Sequence, residues 1–289
     1  MLDWFAAGAP AALAAKMSGV PYVARVGGDY LWEQRYLEGG NPPLTLLDFY
    51  NKGLQKRYPI SFHLIRWVLK NSAHVIFNSD KQRKIYEENY ELSSTSTICN
   101  PVPDMGDIHR YVSSRNKEFV FWGRFIVMKN LDNLVRAFAK ARIPAAYSLT
   151  LIGNGPRKMQ LKSIISELGV ENRVKIMNSM RDKVFNRVKN CRALIITSWT
   201  DISPNAVYQA LALGLPALVT KENYLSIHDQ LPEMVDPYSV DDIASKIEIL
   251  ADDARYADFS ERFNAISFKN DWNAVLKQHI ALFKRILTV

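Results

Sequence analysis

The sequence predicts an α/β protein of two doubly wound lobes, each a parallel sheet with helices on both faces, the first lobe incomplete. Two observations predict this. Short apolar runs alternate with amphipathic stretches, most clearly from Glu118 to Val219. Such strand–helix alternation implies right-handed crossovers and a parallel sheet. The length, 289 residues, suits about two domains of roughly 150 residues.

In the first lobe the pattern reads as a helix over 11–17, a strand over 21–26, a helix over 61–69, a strand over 74–77 and a helix over 81–90. The segment 37–43 (LEGGNPP) carries strong breakers and reads as a loop. A linker fits 100–107, where Pro101, Pro103 and Gly106 cluster. The second lobe reads in order as strand 118–122, helix 131–141, strand 147–152, helix 156–168, strand 173–177, helix 182–190, strand 193–197, helix 205–213 and strand 216–219. Leu131, Leu134, Val135 and Phe138 share one face of their helix. Pro156 stands at a first turn, and Gly169 and Gly214 each close a helix. The division expected is 1–105, 106–268 and a closing segment 269–289. A doubly wound domain ordinarily opens on a strand and a glycine turn, whereas residue 1 already lies just before a helix, so the first lobe is expected to lack its leading strands.

Apolar residues at 48% and charged residues at 23% exclude a disordered, collagenous or coiled-coil chain. Two cysteines, Cys99 and Cys191, make no disulfide framework, and five scattered histidines add no zinc-ligand spacing. The small apolar run 6–15 follows Met-Leu-Asp-Trp without a basic start, which does not suit a signal peptide. It is also too short to span a bilayer. The expectation is a cytosolic protein that makes at most peripheral contact with a membrane surface. The net charge of +8 is uneven, with 26 basic against 19 acidic side chains after residue 105 and near balance before it. A basic second half attracts phosphates or anionic lipid; equally, it is a solvated surface. No stretch interleaves aromatics with Lys and Arg as a nucleic-acid groove does, so no nucleic-acid partner is expected. For lipid, Lys52–Arg57 is the one basic segment singled out.

In open α/β sheets, ligands bind beyond the carboxyl ends of the strands, and the candidate residues lie there. Gly123-Arg124 and then Lys129 follow one strand. Arg as a fork and Lys as a point charge would clamp a diphosphate, although spacing alone favours two solvated cations. Gly153-Asn154-Gly155-Pro156 follows the next strand and suits either an anion at a helix mouth or a simple tight turn. Asp201 to Asn205 (DISPN) precedes the helix carrying Gln209. Ser203 or a neighbour is expected to cap it, with Pro204 in its first turn, or the stretch is only a capped helix with a polar face. On the first lobe, Gly28, Asp29 and Glu33 flank Tyr30 and Trp32, and Ser79 follows another strand. They fit sugar binding or acid–base work, or else a loop with a half-buried Trp and a helix cap. No Walker loop, catalytic triad or Asp-x-Asp occurs, which argues against a metal-held diphosphate.

Five segments in this order resemble the family 4 glycosyltransferases of GT-B architecture: WGRFIVMKNLDNLVRAF, LTLIGNGP, RVKIMN, SWTDISPNAVYQALALGLPAL and VTKEN. VIFNSDKQRK and ICNPVP resemble the family's last first-lobe strand and interdomain linker, and DWNAVLKQHIALFKRIL its terminal helix, which crosses back to the first lobe. The resemblance implies a nucleotide-sugar donor held mainly by the second lobe, with no cofactor, and a saccharide or lipid-linked acceptor. Arg124 and Lys129 would neutralise the diphosphate, Asp201 would contact donor-sugar hydroxyls, and Gln209 would hold the ribose. Ser203, Pro204, Asn205 and Ala206 would present backbone N–H groups to the phosphates, with Gly123 and Gly153 nearby and Asn178 to Arg181 edging the base. Transfer would proceed with retention and without metal, the leaving diphosphate helping to deprotonate the acceptor. Three departures stand out: Gln209 replaces the usual glutamate, Gly27 stands where a histidine is common, and the family's opening glycine-rich loop has no counterpart. They leave, as the alternative, a catalytically impaired relative that binds nucleotide or a partner. A nucleotide-sugar epimerase on the same architecture is a third reading.

Overall fold

The computed structural model describes residues 7–39, 43–103, 115–178 and 184–288. The chain divides into two compact units. One comprises residues 1–101, 224–226 and 270–289, the other residues 102–223 and 227–269.

In the first unit α1 (Ala9–Ser18) leads to β1 (Val23–Val26), α2 (Tyr30–Leu37), α3 (Leu46–Asn51), α4 (Pro59–Lys70), β2 (His74–Phe77), α5 (Asp80–Tyr90) and β3 (Thr95–Thr97). The strands form a parallel sheet in the order β1-β2-β3. The second unit contains β4 (Glu118–Arg124), α6 (Leu131–Lys140), β5 (Ser148–Asn154), α7 (Lys158–Glu167), β6 (Val174–Met177), α8 (Val184–Val188), β7 (Ala193–Ile196), α9 (Asn205–Ala212), β8 (Ala217–Thr220), β9 (Met234–Val235), α10 (Val240–Ala251) and α11 (Asp253–Asn264). The helix α12 (Trp272–Leu287) belongs to the first unit. No helix among the described residues is long and apolar enough to cross a membrane.

The second unit's sheet is parallel throughout, in the order β6-β5-β4-β7-β8-β9. Its chain therefore winds outward one way from β4 to β6 and then the other way from β7 to β9. The crevice at the carboxyl ends of β4 and β7, where the winding reverses, is the ligand position of such sheets. Because helices cover both faces, the strands are apolar at nearly every position: β7 and β8 are buried residue for residue. Leu131, Leu134, Val135 and Phe138, the face read from the spacing, all lie in this core.

Several boundaries differ from the sequence reading. The helix expected from Pro156 starts at Lys158, because Gly155, Pro156 and Arg157 are spent on the turn that re-aims the chain. The helices α2, α3, α10 and α11 and the short β3 and β9 were not anticipated. Of these, α10 carried a legible signal: Ser239 caps Asp242 N, and Ile243, Ala244, Ile247 and Leu250 make a buried face. Residues 40–42 of the expected loop, 104–107 of the expected linker and 182–183 of the expected helix lie outside the described residues.

In the first unit, Asp29 caps α2 and is fully buried. Its carboxylate accepts hydrogen bonds from Trp32 N at 2.8 Å, Tyr50 Oη at 2.6 Å and Tyr86 Oη at 2.8 Å. Trp32, which one of the two readings placed half-buried in a loop, lies in α2, is 3% exposed and donates its indole N–H to Leu44 O. At the carboxyl ends of the three strands, Arg25 donates to Asn78 Oδ1, Ile98 O and Asn100 Oδ1 and pairs with His279 Nε2 at 3.1 Å. This ties β1 to the ends of β2 and β3 and to the inner face of α12. That face buries Val275 and Leu282 against Ile76 and Ile98.

Candidate nucleotide-sugar site

The candidate residues of the second unit gather around the reversal point of its sheet. Gly123 and Arg124 are the last residues of β4, Gly153 and Asn154 those of β5, in register with them. A short 3-10 turn, Val127–Lys129, carries Lys129. The loop after β7 carries Asp201, and α9 begins at Asn205.

Asn130 fixes this arrangement, and the sequence reading did not single it out. It adopts a left-handed conformation (φ 51°) that ends the 3-10 turn and starts α6. Its buried amide donates to Thr197 O and Pro237 O, while Thr197 Oγ1 donates back to Asn130 O. Trp199 N donates to Met128 O. The turn after β4 is thus stitched to the loop after β7. No local pattern reveals this, because the partners of Asn130 lie 67 and 107 residues away in sequence.

Within this frame Lys129 Nζ contacts Asp201 Oδ2 at 2.6 Å, and Ser198 Oγ donates to the same oxygen at 2.9 Å. Asp201 is 7% exposed, and its backbone N donates to Glu222 O. Arg124 is exposed, and its guanidinium has no partner among the described residues. The two cations therefore differ. Arg124 is available to an incoming anion, and Lys129 is already spent on a carboxylate.

Further along α9, Trp122 Nε1 donates to Gln209 Oε1 at 2.8 Å. An indole N–H only donates. It therefore holds the amide oxygen inward and leaves the Gln209 NH2 group as the outward-facing donor. Pro204, read from the sequence as a first-turn residue, occupies the N-cap position and makes no side-chain cap bond itself. Proline has no hydroxyl or carboxylate to turn back on the helix, so the N-cap side chain itself satisfies none of the first N–H groups of α9. Ser203 and Ala206 are half-buried and Asn205 is exposed around that opening. Asn178 follows β6, and its side-chain Oδ1 accepts from Lys158 Nζ at 2.6 Å; residues 179–181 lie outside the described residues.

Gly153 has a reason of its own to be glycine. A Cβ there would lie 1.9 Å from Gly123 O and 2.8 Å from Phe125 Cε1. The strands β4 and β5 approach this closely only without a side chain. Gly153→Ala is expected to cost about 2–3 kcal/mol, since overpacking a tight backbone contact costs that order. Urea unfolding checks it, and an unchanged midpoint would rule out the clash.

The first-unit candidates come out differently. Asp29 is sealed in the core by its cap bond and two tyrosine hydroxyls, so it is not open to a saccharide. Ser79 caps α5 by accepting from Gln82 N, and Gly28 O accepts from Gln82 Nε2. Glu33 sits in the first turn of α2. Asp29 and Ser79 thus each open a helix. In the basic segment 52–57, Gln55 is buried, and Lys56 and Arg57 lie exposed on a single 3-10 turn that begins at Leu54. A cleft of about 360 Å³ lies behind α9, lined by Leu211, Ala212, Ile266 and Phe268; none of the site residues borders it.

A doubly wound parallel sheet with two cations and an acid at its reversal point defines a class of protein. Comparison with known proteins narrows it. The family model described as glycosyl transferases group 1 matches residues 109–266, and the chain belongs to this family. In curated relatives it is similar to an exopolysaccharide phosphotransferase of Streptomyces coelicolor, 24% identical over 200 residues, covering 67% of this chain and 21% of the relative. It is also similar to an uncharacterized glycosyltransferase of Methanocaldococcus jannaschii, 25% identical over 190 residues, covering 60% and 45%. The chain thus spans less than half the length of these relatives. Among solved structures, that of Anabaena HepE in complex with UDP-glucose superimposes with a TM-score of 0.71 at 19% identity, covering 95% of this chain and 75% of that one. The fold is GT-B.

Proposed function

We propose that the chain is a sugar transferase that takes a sugar from a nucleoside-diphosphate donor and passes it to a saccharide or lipid-linked acceptor, with retention and without a metal ion. The observation that carries this reading is the pairing of an uncommitted cation, Arg124, with the Lys129–Asp201 ion pair at the reversal point of the sheet. The binding of UDP-glucose by a protein of like fold supports it.

Arg124 holds the diphosphate as a fork. The N–H groups opening α9 add a positive helix end. On donor binding Lys129 leaves Asp201 for the phosphates, and Asp201 turns to the sugar hydroxyls. The bond from the anomeric carbon to the phosphate oxygen breaks, and a bond to the acceptor oxygen forms on the same face. The acceptor proton passes to the departing diphosphate. Stabilising that leaving group supplies most of the rate.

Arg124→Ala is expected to weaken UDP binding about tenfold, the worth of one exposed charge-assisted contact. Isothermal calorimetry reads it, and unchanged affinity would overturn the clamp. Turnover that persists in excess chelator supports metal independence; turnover that stops refutes it. A second reading, binding without turnover, is favoured by Gln209, whose neutral amide is held by Trp122 where a carboxylate would carry charge. Release of free sugar from the donor by the purified chain excludes it.

A further inference from the structure

We propose that the outer face of α12 is a docking surface for an anionic lipid bilayer. The apolar arc of the helix is wider than the part the first unit covers. The inner face, Val275 and Leu282 with His279 and Ile286 beside them, packs on the first unit's sheet. The outer face leaves large apolar side chains in solvent: Trp272 is 67% exposed, Leu276 56%, Leu287 74%, and Ile280 and Phe283 43% each. At 3.6 residues per turn these five fall within roughly 80° of arc. They form a continuous stripe along the 16-residue helix. Scattered exposed apolar residues are ordinary, but a contiguous stripe marks a contact surface.

The charges identify the occupant. Lys277 and Lys284 lie on the flank of the stripe, Arg285 lies further round, and all three are exposed. From Trp272 onward the sequence holds no acidic residue. Two copies placed stripe to stripe would therefore oppose lysine to lysine without a neutralising carboxylate. A lipid surface bearing phosphate or phosphatidylglycerol headgroups meets both needs at once: the stripe enters the acyl boundary and the lysines meet the headgroups. Trp, Phe and Leu on one side with Lys and Arg on the other is the composition of helices that lie in the interface plane. This surface is independent of the donor site, whose residues all belong to the other unit.

The test is co-sedimentation of the full chain with vesicles of phosphatidylcholine alone and of phosphatidylcholine mixed with phosphatidylglycerol. Binding is expected to the mixed vesicles and to fall as salt rises. Lys277→Glu with Lys284→Glu is expected to lower it by a factor of roughly ten or more, each cation near an anionic surface being worth about a factor of five. Leu276→Glu with Ile280→Glu is expected to abolish it. All four positions are exposed, and far-UV circular dichroism and UDP affinity should not change. As a second measure, Trp272 emission should shift to the blue on adding mixed vesicles, a change missing from Trp272→Phe. Equal binding to both vesicle types, or variants that bind like the parent, would overturn the proposal. So would a dimer in light scattering that the Leu276/Ile280 variant dissolves, which would make the stripe a self-association surface.

Discussion

Asp29→Ala will lower the unfolding free energy by about 3–5 kcal/mol, combining the loss of a helix cap with buried hydroxyls left without their acceptor. The carboxylate caps α2 and takes hydrogen bonds from Tyr50 and Tyr86, and the Tyr50 hydroxyl also meets that of Tyr90 at 3.0 Å. Alanine removes a group that joins α2, α3 and α5. Urea titration checks the loss; a drop below about 1 kcal/mol, the scale of a cap alone, would mean that the tyrosines find other partners. The same residue makes stability depend on pH. Burial lifts the Asp29 carboxyl above its ordinary value, and this outweighs the hydrogen bonds from Tyr50, Trp32 and Tyr86, which lower it. The folded protein therefore retains the proton at pH values where the unfolded chain has released it. Stability falls as pH rises from the ordinary aspartate value through the raised one. Asp29→Asn, which keeps the cap but cannot ionise, is expected to flatten this slope. An identical slope in the variant would refute the assignment.

The second large effect is a split between two members of one ion pair. Lys129→Ala is expected to weaken UDP binding by about 10- to 100-fold, the worth of a partly buried charge-assisted contact. Asp201→Asn is expected to act in the opposite direction on UDP, because it frees Lys129 from a carboxylate 2.6 Å away. The same variant should slow sugar transfer from the donor by roughly 100-fold, if the acid is positioned for the sugar's transition state. Calorimetry and single-turnover assays separate the two. Weaker UDP binding in Asp201→Asn would show that the carboxylate organises the phosphate site instead of competing for Lys129. Arg124→Ala provides the comparison, because Arg124 pairs with no acid among the described residues and should lose affinity without this opposition.

Most of the second unit was legible in its residues. A parallel sheet covered on both faces requires apolar runs, and 118–122, 147–152, 193–197 and 216–219 are such runs. Its helices declare themselves by face and by stops such as Gly169 and Gly214. The same alternation put Arg124, Lys129 and Asp201 at the carboxyl ends of strands, which is a matter of order along the chain. The first unit was less legible where short helices start on buried polar residues. Asp29 and Glu33 beside aromatics look alike whether they meet a sugar or cap a helix, because a cap and a ligand site use the same side chains. The result turned on Tyr50 and Tyr86, whose hydroxyls reach the Asp29 carboxylate from 21 and 57 residues away.

By itself, the sequence determined the architecture, the family resemblance and the residues that reach the reversal point of the second sheet, because these depend on local periodicity and order. Only the tertiary structure decided which of those residues are free to act. Among the described residues Arg124 stands open, Lys129 is held by Asp201, Gln209 is turned by Trp122, and part of the apolar arc of α12 lies uncovered. Commitment of a polar group, or exposure of an apolar one, depends on what the rest of the chain brings within about 3–4 Å, and side-chain contacts of that reach are not encoded in spacing along the chain.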